Sequence, residues 1–258
     1  MNPSNPPHHL NNQTLRLAEQ LAQLRLFFLQ ENAQPWAGQA AREQWTHLDY
    51  LARLMEGESQ QRHERCIARR IAAARFPILK TLDQFNWNWP KKIHRPAVQH
   101  LFSLGFLKDK ASVVLIGGVG LGKSHLAIAL GHAACLRGHS VLFTTAVEAI
   151  NSLTTAHAQY RLKAELKKFL APTVLVLDEL GYLPIDKAGA DRLFQIISGR
   201  SEKGSTVLTT NQPYKNWARL FHNDPTLTSA VLDRLLHHAE TVVIEGQSYR
   251  MKDRIEEP

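Results

Sequence analysis

Eight consecutive residues, 117–124, place the tightest limit on what this chain can fold into. They read Gly-Gly-Val-Gly-Leu-Gly-Lys-Ser, between a short β-branched run, Ser112 to Ile116, and a helical pattern from Lys123 to Leu136. Glycines let a backbone curl so that successive N–H groups point inward, and the next helix adds partial positive charge at its first turn. A strand, this loop and a helix in that order predict a cradle for phosphate groups.

The other residue types in the loop suit a nucleoside triphosphate with magnesium. Lys123 supplies a point charge for the β and γ phosphates, and Ser124 offers a hydroxyl group to Mg²⁺. Both residues stand at the end of the loop, where the helix begins. The residues predicted to hold the nucleotide are Gly117, Gly118, Val119, Gly120, Leu121, Gly122, Lys123 and Ser124.

Two carboxylates follow an apolar run later in the chain. The run Val174 to Leu177 is typical of a buried parallel strand, and Asp178 and Glu179 come directly after it. Open α/β sheets bind ligands at the carboxyl ends of their strands, so both acids are expected near the phosphates. Asp178 is predicted to hold Mg²⁺, and Glu179 to orient and activate the attacking water as a general base.

Two further polar residues have a functional and a structural interpretation. Asn211 follows the run Thr206 to Thr210 and is a candidate sensor of the γ phosphate, or a turn residue before Pro213. Arg234 is a candidate arginine finger for the nucleotide of a neighbouring subunit, or half of a surface pair with Asp233. The sequence alone does not separate these alternatives.

Strands and helices alternate from Ala111 onward, which predicts an α/β fold with a parallel sheet flanked by helices. Four strands are predicted, at 112–116, 140–144, 173–177 and 205–210. The first 75 residues predict a small all-α domain, and residues 76–258 the nucleotide-binding domain. In the first part, Leu17 to Phe28 form one helical stripe, Pro35 is expected to break that helix, and a second helix is expected from about Gln39.

The chain is basic, with 31 Lys and Arg against 23 Asp and Glu among its 258 residues. Its most basic stretch contains Arg62, Arg65, Arg69 and Arg70, which predict either a solvated helix face or a surface for the DNA phosphate backbone. The nearby aromatic residues at 85–89 are expected to pack rather than to stack on bases.

No apolar run approaches the length of a membrane span, and the first nine residues lack the features of a signal peptide. Two cysteines cannot make a disulfide framework, so a reduced, cytoplasmic protein without a membrane partner is expected.

The motifs together resemble those of AAA+ ATPases of the initiator and helicase-loader branch. The sequence is more similar still to the IstB-type helper ATPases of bacterial insertion sequences. The resemblance covers about residues 50–252, and it is carried by the loop through His125, by Asp178 to Pro184, and by Leu232 to His238. Further matching stretches include Thr210-Asn211 and Ile244 to Arg250.

The resemblance implies a fold, an activity and partners. It implies a P-loop AAA+ domain that binds and hydrolyses ATP with Mg²⁺, and a homo-oligomer with ATP at the subunit interfaces. It further implies assembly on duplex DNA and assistance to a cognate transposase in target capture. By position, His125 joins the nucleotide-binding set, Asn211 becomes sensor 1, Arg234 the arginine finger and Arg250 a sensor-2-like arginine.

Three other functions stay open at this point. A helicase loader of the DnaC type would share the same core but act on a replicative helicase. A P-loop kinase for a small metabolite would need phosphate-gripping arginines in a mobile lid, and no such cluster follows the loop. A nucleotide-binding scaffold without turnover would not need Glu179 beside the Mg²⁺ ligand.

Overall fold

The structure is a computed structural model that describes residues 8–182 and 184–249. Leu183, within the stretch Asp178 to Pro184, and Arg250 lie outside these residues. The chain divides into two compact units, with the boundary between Ala68 and Arg69. In the described part of the chain, no helix is both long enough and apolar enough to cross a membrane.

The described secondary structure is helical first and then alternates between strands and helices. The helices are α1 (His8–Gln23), α2 (Phe27–Glu43), α3 (His47–Ala74), α4 (Arg95–Leu101), α5 (Lys123–Leu136), α6 (Ala146–Ala158), α7 (Leu162–Leu170), α8 (Lys187–Arg200), α9 (Trp217–Leu220) and α10 (Pro225–Leu236). The strands are β1 (Lys92–Ile93), β2 (Ser112–Gly117), β3 (Val141–Thr145), β4 (Val174–Leu180), β5 (Ser205–Thr210) and β6 (Ala239–Glu245).

The first unit differs from the predicted helix boundaries because a turn, and not the proline, separates its first two helices. The chain turns at Arg25, whose φ is +56°, and Pro35 lies inside α2. A proline costs an internal helix about 3 kcal/mol. Contacts beside it offset that cost, since Trp36 packs edge-on against Phe28 and the Tyr50 hydroxyl donates to the carbonyl oxygen of Ala33.

The helix predicted from about Gln39 is also displaced. The helix that carries Leu48, Leu51 and Met55 begins at His47, and these three side chains are exposed. The small core of the first unit instead uses Leu54 from this helix, together with Leu21 and Leu29. Helical spacing alone therefore identified a helix but not its buried face.

The second unit contains one sheet with strand order β1-β6-β2-β5-β4-β3. β1 runs antiparallel to β6, and the other neighbouring pairs are parallel. Alternate side chains of the central strands enter two different cores: Val113 and Leu115 lie in one, and Val114 and Leu177 in the other. A mostly parallel sheet with a packed layer on each face confirms the predicted α/β class.

The strand order decides which residues meet at the functional edge. β5 lies between β2 and β4, so the carboxyl ends of all three strands are neighbours. A register shift after Leu177 places Leu180 opposite Thr210, and the shift contains Asp178 and Glu179. The glycine-rich loop after β2 therefore lies beside the acidic end of β4, as the motif order predicted.

Candidate functional site

The loop from Gly117 to Ser124 has the backbone geometry that its glycines permit. Gly120 and Gly122 have φ of +73° and +86°, a region that L side chains rarely adopt. A Cβ atom on Gly117 would stand 2.4 Å from the carbonyl oxygen of Ile244, so a side chain has no room there. The loop leads into α5 at Lys123, whose side chain is buried and donates to the carbonyl oxygen of Gly118 over 2.7 Å.

A hydrogen-bond network joins this loop to the acidic end of β4. The Oδ1 atom of Asp178 accepts from the Ser124 hydroxyl at 2.9 Å and also from the Thr209 hydroxyl. Thr209 in turn accepts from the backbone N–H of Glu179 at 2.9 Å. Asp178 is buried, whereas the Glu179 side chain is exposed on a residue with φ of +61°. The structure thus brings the predicted Ser124 together with the predicted acids Asp178 and Glu179, which lie more than fifty residues later in the sequence.

Thr209 is a site residue that the sequence analysis missed. It is fully buried on β5 and contacts both predicted acidic residues, through the Asp178 carboxylate and the Glu179 N–H. The available signal was the run Thr209-Thr210-Asn211 at the end of a strand, from which only Asn211 was selected. Side chains at consecutive positions point to opposite faces of a strand, so such a run places a polar group on each face.

The oxygen atoms of Ser124 and Asp178 form a fitting donor set for magnesium. Mg²⁺ prefers oxygen ligands, and proteins usually supply one or two of them while substrate phosphates and water supply the rest. Within residues 8–182 and 184–249, no group of three His, Cys, Asp or Glu side chains could hold a metal ion without help. A magnesium ion at this edge would take its remaining ligands from phosphate and water oxygens.

A cleft of about 570 Å³ opens beside the network and accommodates a nucleotide-sized ligand. Its walls are formed by three groups of residues. They include the loop residues 120–125, the acids at 178 and 179 with Thr209, and an aromatic group consisting of Phe85, Trp89 and Tyr249. Gly117, Gly118 and Val119, which were also predicted to hold the nucleotide, do not line this cleft.

His125 fastens the segment before the sheet onto the helix that follows the loop. Its Nε2 atom lies 2.8 Å from the carbonyl oxygen of Thr81, so this nitrogen carries the proton of the neutral ring. The Phe85 ring packs edge-on against the imidazole and also close to Gly122. Burial lowers the pKa of His125 below its usual value of 6.5. Phe85 packs as expected, and both Phe85 and Trp89 line the cleft.

The structure does not bring the two remaining described candidates into the cleft. Asn211 follows β5, and its Oδ1 atom is buried with no hydrogen-bond partner in the described part of the chain. Arg234 is exposed on α10, where its guanidinium lies 5.0 Å from the centre of the Phe194 ring and donates to the carbonyl oxygen of Ala230. The sensor and finger roles of these residues stay predictions.

The four arginines predicted to contact DNA lie on α3, but they differ in their contacts. Arg62 forms an ion pair with Glu58 at 3.0 Å and donates to the carbonyl oxygens of the chain turn before α2. Arg65 donates to Gln61 and stacks on Phe27. Arg62 and Arg65 therefore already take part in the packing of the first unit, and Arg69 and Arg70 belong to the second.

Solved structures identify the fold. The crystal structure of the DnaC helicase loader matches with a TM-score of 0.54 at 24% identity, over 64% of this chain and 96% of that one. A DnaA replication initiator bound to AMPPCP and single-stranded DNA matches with a TM-score of 0.54 at 19% identity, over 69% and 54% of the two chains. This likeness confirms the predicted AAA+ fold.

Sequence relatives come from bacterial insertion sequences. A candidate ATP-binding protein of insertion sequence IS21 from Pseudomonas aeruginosa is 38% identical over 91% of this chain and 88% of its own length. The corresponding protein of IS5376 from Geobacillus stearothermophilus is 34% identical over 93% and 95% of the two chains. The model of the IstB-like ATP binding protein family matches residues 19–257. The chain therefore belongs to the family of IstB-like ATP binding proteins.

Proposed function

We propose that this chain is an ATP-hydrolysing helper of transposition, which oligomerises on duplex DNA and assists a transposase in capturing its target. The hydrogen bond between Ser124 and Asp178 carries the proposal, because it joins the glycine-rich loop to the acidic strand end at one edge of the cleft. The relatives belong to insertion sequences and are named for ATP binding, which supports the nucleotide and the biological setting.

The residues at this edge have different roles in ATP hydrolysis. The loop N–H groups and Lys123 bind the phosphates, and Ser124 and Asp178 hold magnesium. When bound, the metal ion neutralises charge on the phosphate oxygens. The exposed Glu179 side chain takes a proton from the attacking water as the bond between the γ phosphorus and the bridging oxygen breaks. Thr209 holds both acids in place through its hydroxyl group.

Oligomer formation places ATP between subunits. Arg234 is exposed and does not line the cleft of its own chain, which favours a role at the nucleotide of a neighbouring copy. ATP bound at such an interface stabilises the assembly, since a ligand favours the state that binds it. Hydrolysis then limits how long the assembly stays on DNA.

The DNA contact is expected to involve phosphates. The candidates in the basic stretch are Arg62, Arg65, Arg69 and Arg70, of which Arg62 and Arg65 also take part in the packing of the first unit. Binding through phosphates gives weak sequence preference and an affinity that falls steeply with salt. An affinity that does not change with salt would contradict this part of the proposal.

Replacement of Lys123 tests the central claim. In Lys123→Ala, binding of a slowly hydrolysed ATP analogue should weaken at least about tenfold, because a charge-assisted contact to phosphate is lost. Calorimetric titration with Mg²⁺ measures it, and Lys203→Ala, an exposed lysine in the turn after α8, is the matched control. Particle sizing with duplex DNA and the analogue should show large assemblies for wild type and none for Lys123→Ala.

Three outcomes would contradict the proposal. If the wild-type protein binds no adenine nucleotide, the proposal has no basis. Equal binding by Lys123→Ala removes the role of the loop. A wild-type protein that captures a replicative helicase and not the transposase of its own element, in a pull-down with both, would favour the helicase-loader alternative.

A further inference from the structure

The segment after β6 runs beside the glycine-rich loop. A Cβ atom on Gly120 would stand 2.1 Å from the Ser248 Oγ atom, so the two residues are in close contact. The Leu121 side chain packs near Gly246. Tyr249 donates its backbone N–H to the carbonyl oxygen of Gly120 over 3.0 Å. Residues 246–249 therefore form one wall of the loop, and we call them the C-terminal wall.

Trp89 contacts two residues of this wall. Its indole Nε1–H donates to the carbonyl oxygen of Gln247 over 2.9 Å. Its ring meets the Tyr249 ring edge-on with 5.5 Å between the centres. Trp89 thus contacts the wall on both sides of Ser248, the residue that packs against Gly120. A side chain far from the loop in sequence is connected to it through two hydrogen bonds.

The geometry of the peptide bond makes this connection important for phosphate binding. The peptide unit between Gly120 and Leu121 is planar and trans, so its C=O and N–H point in opposite directions. The C=O points to Tyr249, and the N–H of Leu121 therefore points away from the wall. Gly120 has a positive φ and many accessible conformations, so an external hydrogen bond is needed to select one.

We propose that Trp89 is a positioning residue of the nucleotide site: it holds the C-terminal wall against Gly120 and so keeps the Leu121 amide directed at the phosphates. The inference rests on the proposed ATP binding and adds a residue that acts on the phosphates through two others. A lost hydrogen bond of this kind leaves the loop free to adopt other peptide orientations, which weakens binding of any ligand that carries phosphates.

Trp89→Phe is the direct test, because it keeps an aromatic ring and removes the indole N–H. The affinity for ADP and for a slowly hydrolysed ATP analogue should fall about three- to tenfold, the effect of one hydrogen bond. Inorganic triphosphate, which has no base, should lose affinity by the same factor in competition with a fluorescent nucleotide. Trp87→Phe, in the same segment but outside the cleft, is the matched control and should keep wild-type affinity.

A second pair of variants tests the other hydrogen bond. Tyr249→Pro removes the N–H that Gly120 accepts, and Tyr249→Ala keeps it, so the proline variant should bind triphosphate about three- to tenfold more weakly than the alanine variant. Thermal melting without nucleotide identifies variants that fold poorly. If Trp89→Phe melts early, the Tyr249 pair decides the question.

The results separate this inference from the proposed function. If wild type fails to bind ATP, or Lys123→Ala binds as well as wild type, the proposed function fails. If Lys123→Ala loses binding while Trp89→Phe keeps it, only the positioning role fails. Weaker binding of ATP by Trp89→Phe with unchanged binding of triphosphate would assign Trp89 to the base and overturn the proposal.

Discussion

Each unit of the chain contains a nearly buried carboxylate, and the two are surrounded in different ways. Glu58, in the helical unit, accepts from the backbone N–H of Phe28 at 2.9 Å and pairs with Arg62. Asp178, at the end of β4, accepts from the hydroxyl groups of Ser124 and Thr209. Glu58 thus caps the start of α2 and is fixed by the fold itself.

The difference separates a structural carboxylate from one prepared for a ligand. The backbone N–H of Phe28 cannot turn away from Glu58 without local unfolding of α2. A hydroxyl group can rotate and offer a lone pair to another partner, so Ser124 can exchange its bond to Asp178 for a shared metal ion. Burial alone therefore does not identify the functional acid. The type of hydrogen-bond donor that faces the carboxylate distinguishes the two.

Asp178→Asn should have the largest effect of the changes that test this comparison. The amide keeps the shape of the side chain and can still accept from Thr209, but it lacks the charge that attracts magnesium. ATP turnover should fall at least about a hundredfold, and the free energy of unfolding should change little. Steady-state phosphate release and urea unfolding measure the two quantities.

The control for this variant is Asp191→Asn, an exposed acid on α8. It should keep both turnover and stability. An Asp178→Asn protein that hydrolyses ATP at the wild-type rate would place Asp178 with Glu58 among the structural carboxylates and remove the proposed metal site.

The site residues that the sequence could predict are those in continuous motifs. The loop at 117–124 and the acids at 178 and 179 are continuous motifs whose residue types follow from their chemistry, and they were found. Strand β6 was not predicted. It has few buried residues, and the exposed Val243 is as apolar as its buried neighbours, which hides the alternation in the sequence. Its position beside β2 creates the C-terminal wall, which no local pattern contains.

Side-chain contacts that the local sequence pattern does not contain account for further differences. Trp89 meets Gln247 only because β1 pairs with β6, and that pairing depends on the whole strand order. Pro35 was expected to end a helix, and packing around Trp36 overrides it. Arg62 was predicted to lie either on a solvated helix face or at the DNA phosphate backbone; its contacts in the structure are with Glu58 and carbonyl oxygens, and a role at DNA stays a prediction.

Glu58→Gln should have a smaller effect than Asp178→Asn and the opposite pattern, with a loss of stability and no loss of ATP turnover. The amide loses the charge that Arg62 pairs with and weakens the cap of α2, so the free energy of unfolding should fall by about 1–3 kcal/mol. The backbone amides of Phe28 and Leu29 should exchange with solvent faster, because Glu58 accepts from both. Hydrogen exchange at these two amides is the measurement, with Glu64→Gln as an exposed control on the same helix.

Turnover of ATP by folded Glu58→Gln should stay at the wild-type level. A large loss of turnover with unchanged amide exchange would reverse the roles of the two carboxylates. Equal losses in Glu58→Gln and Glu64→Gln would show that the charge of α3, and not the cap, is what matters.

The smallest effect concerns pH and the neutral ring of His125. Burial holds the pKa of His125 below 6.5, so on acidification the unfolded chain takes up a proton at this residue before the folded chain does. The free energy of unfolding therefore falls as the pH drops through 6.5, and it levels off below the pKa of the folded state. His125→Gln keeps a hydrogen-bond donor for Thr81 and removes the titration.

Urea unfolding of wild type and His125→Gln at pH values from about 5 to about 8 measures this contribution, because the other histidines are common to both proteins. The difference in stability between the two should shift toward the variant as the pH falls. A difference that is constant with pH would show that the pKa of His125 is the same in the folded and unfolded chains. Asp178 and Glu58 are buried and His125 is half-buried, and of these three residues Asp178 is the one proposed to hold the metal ion.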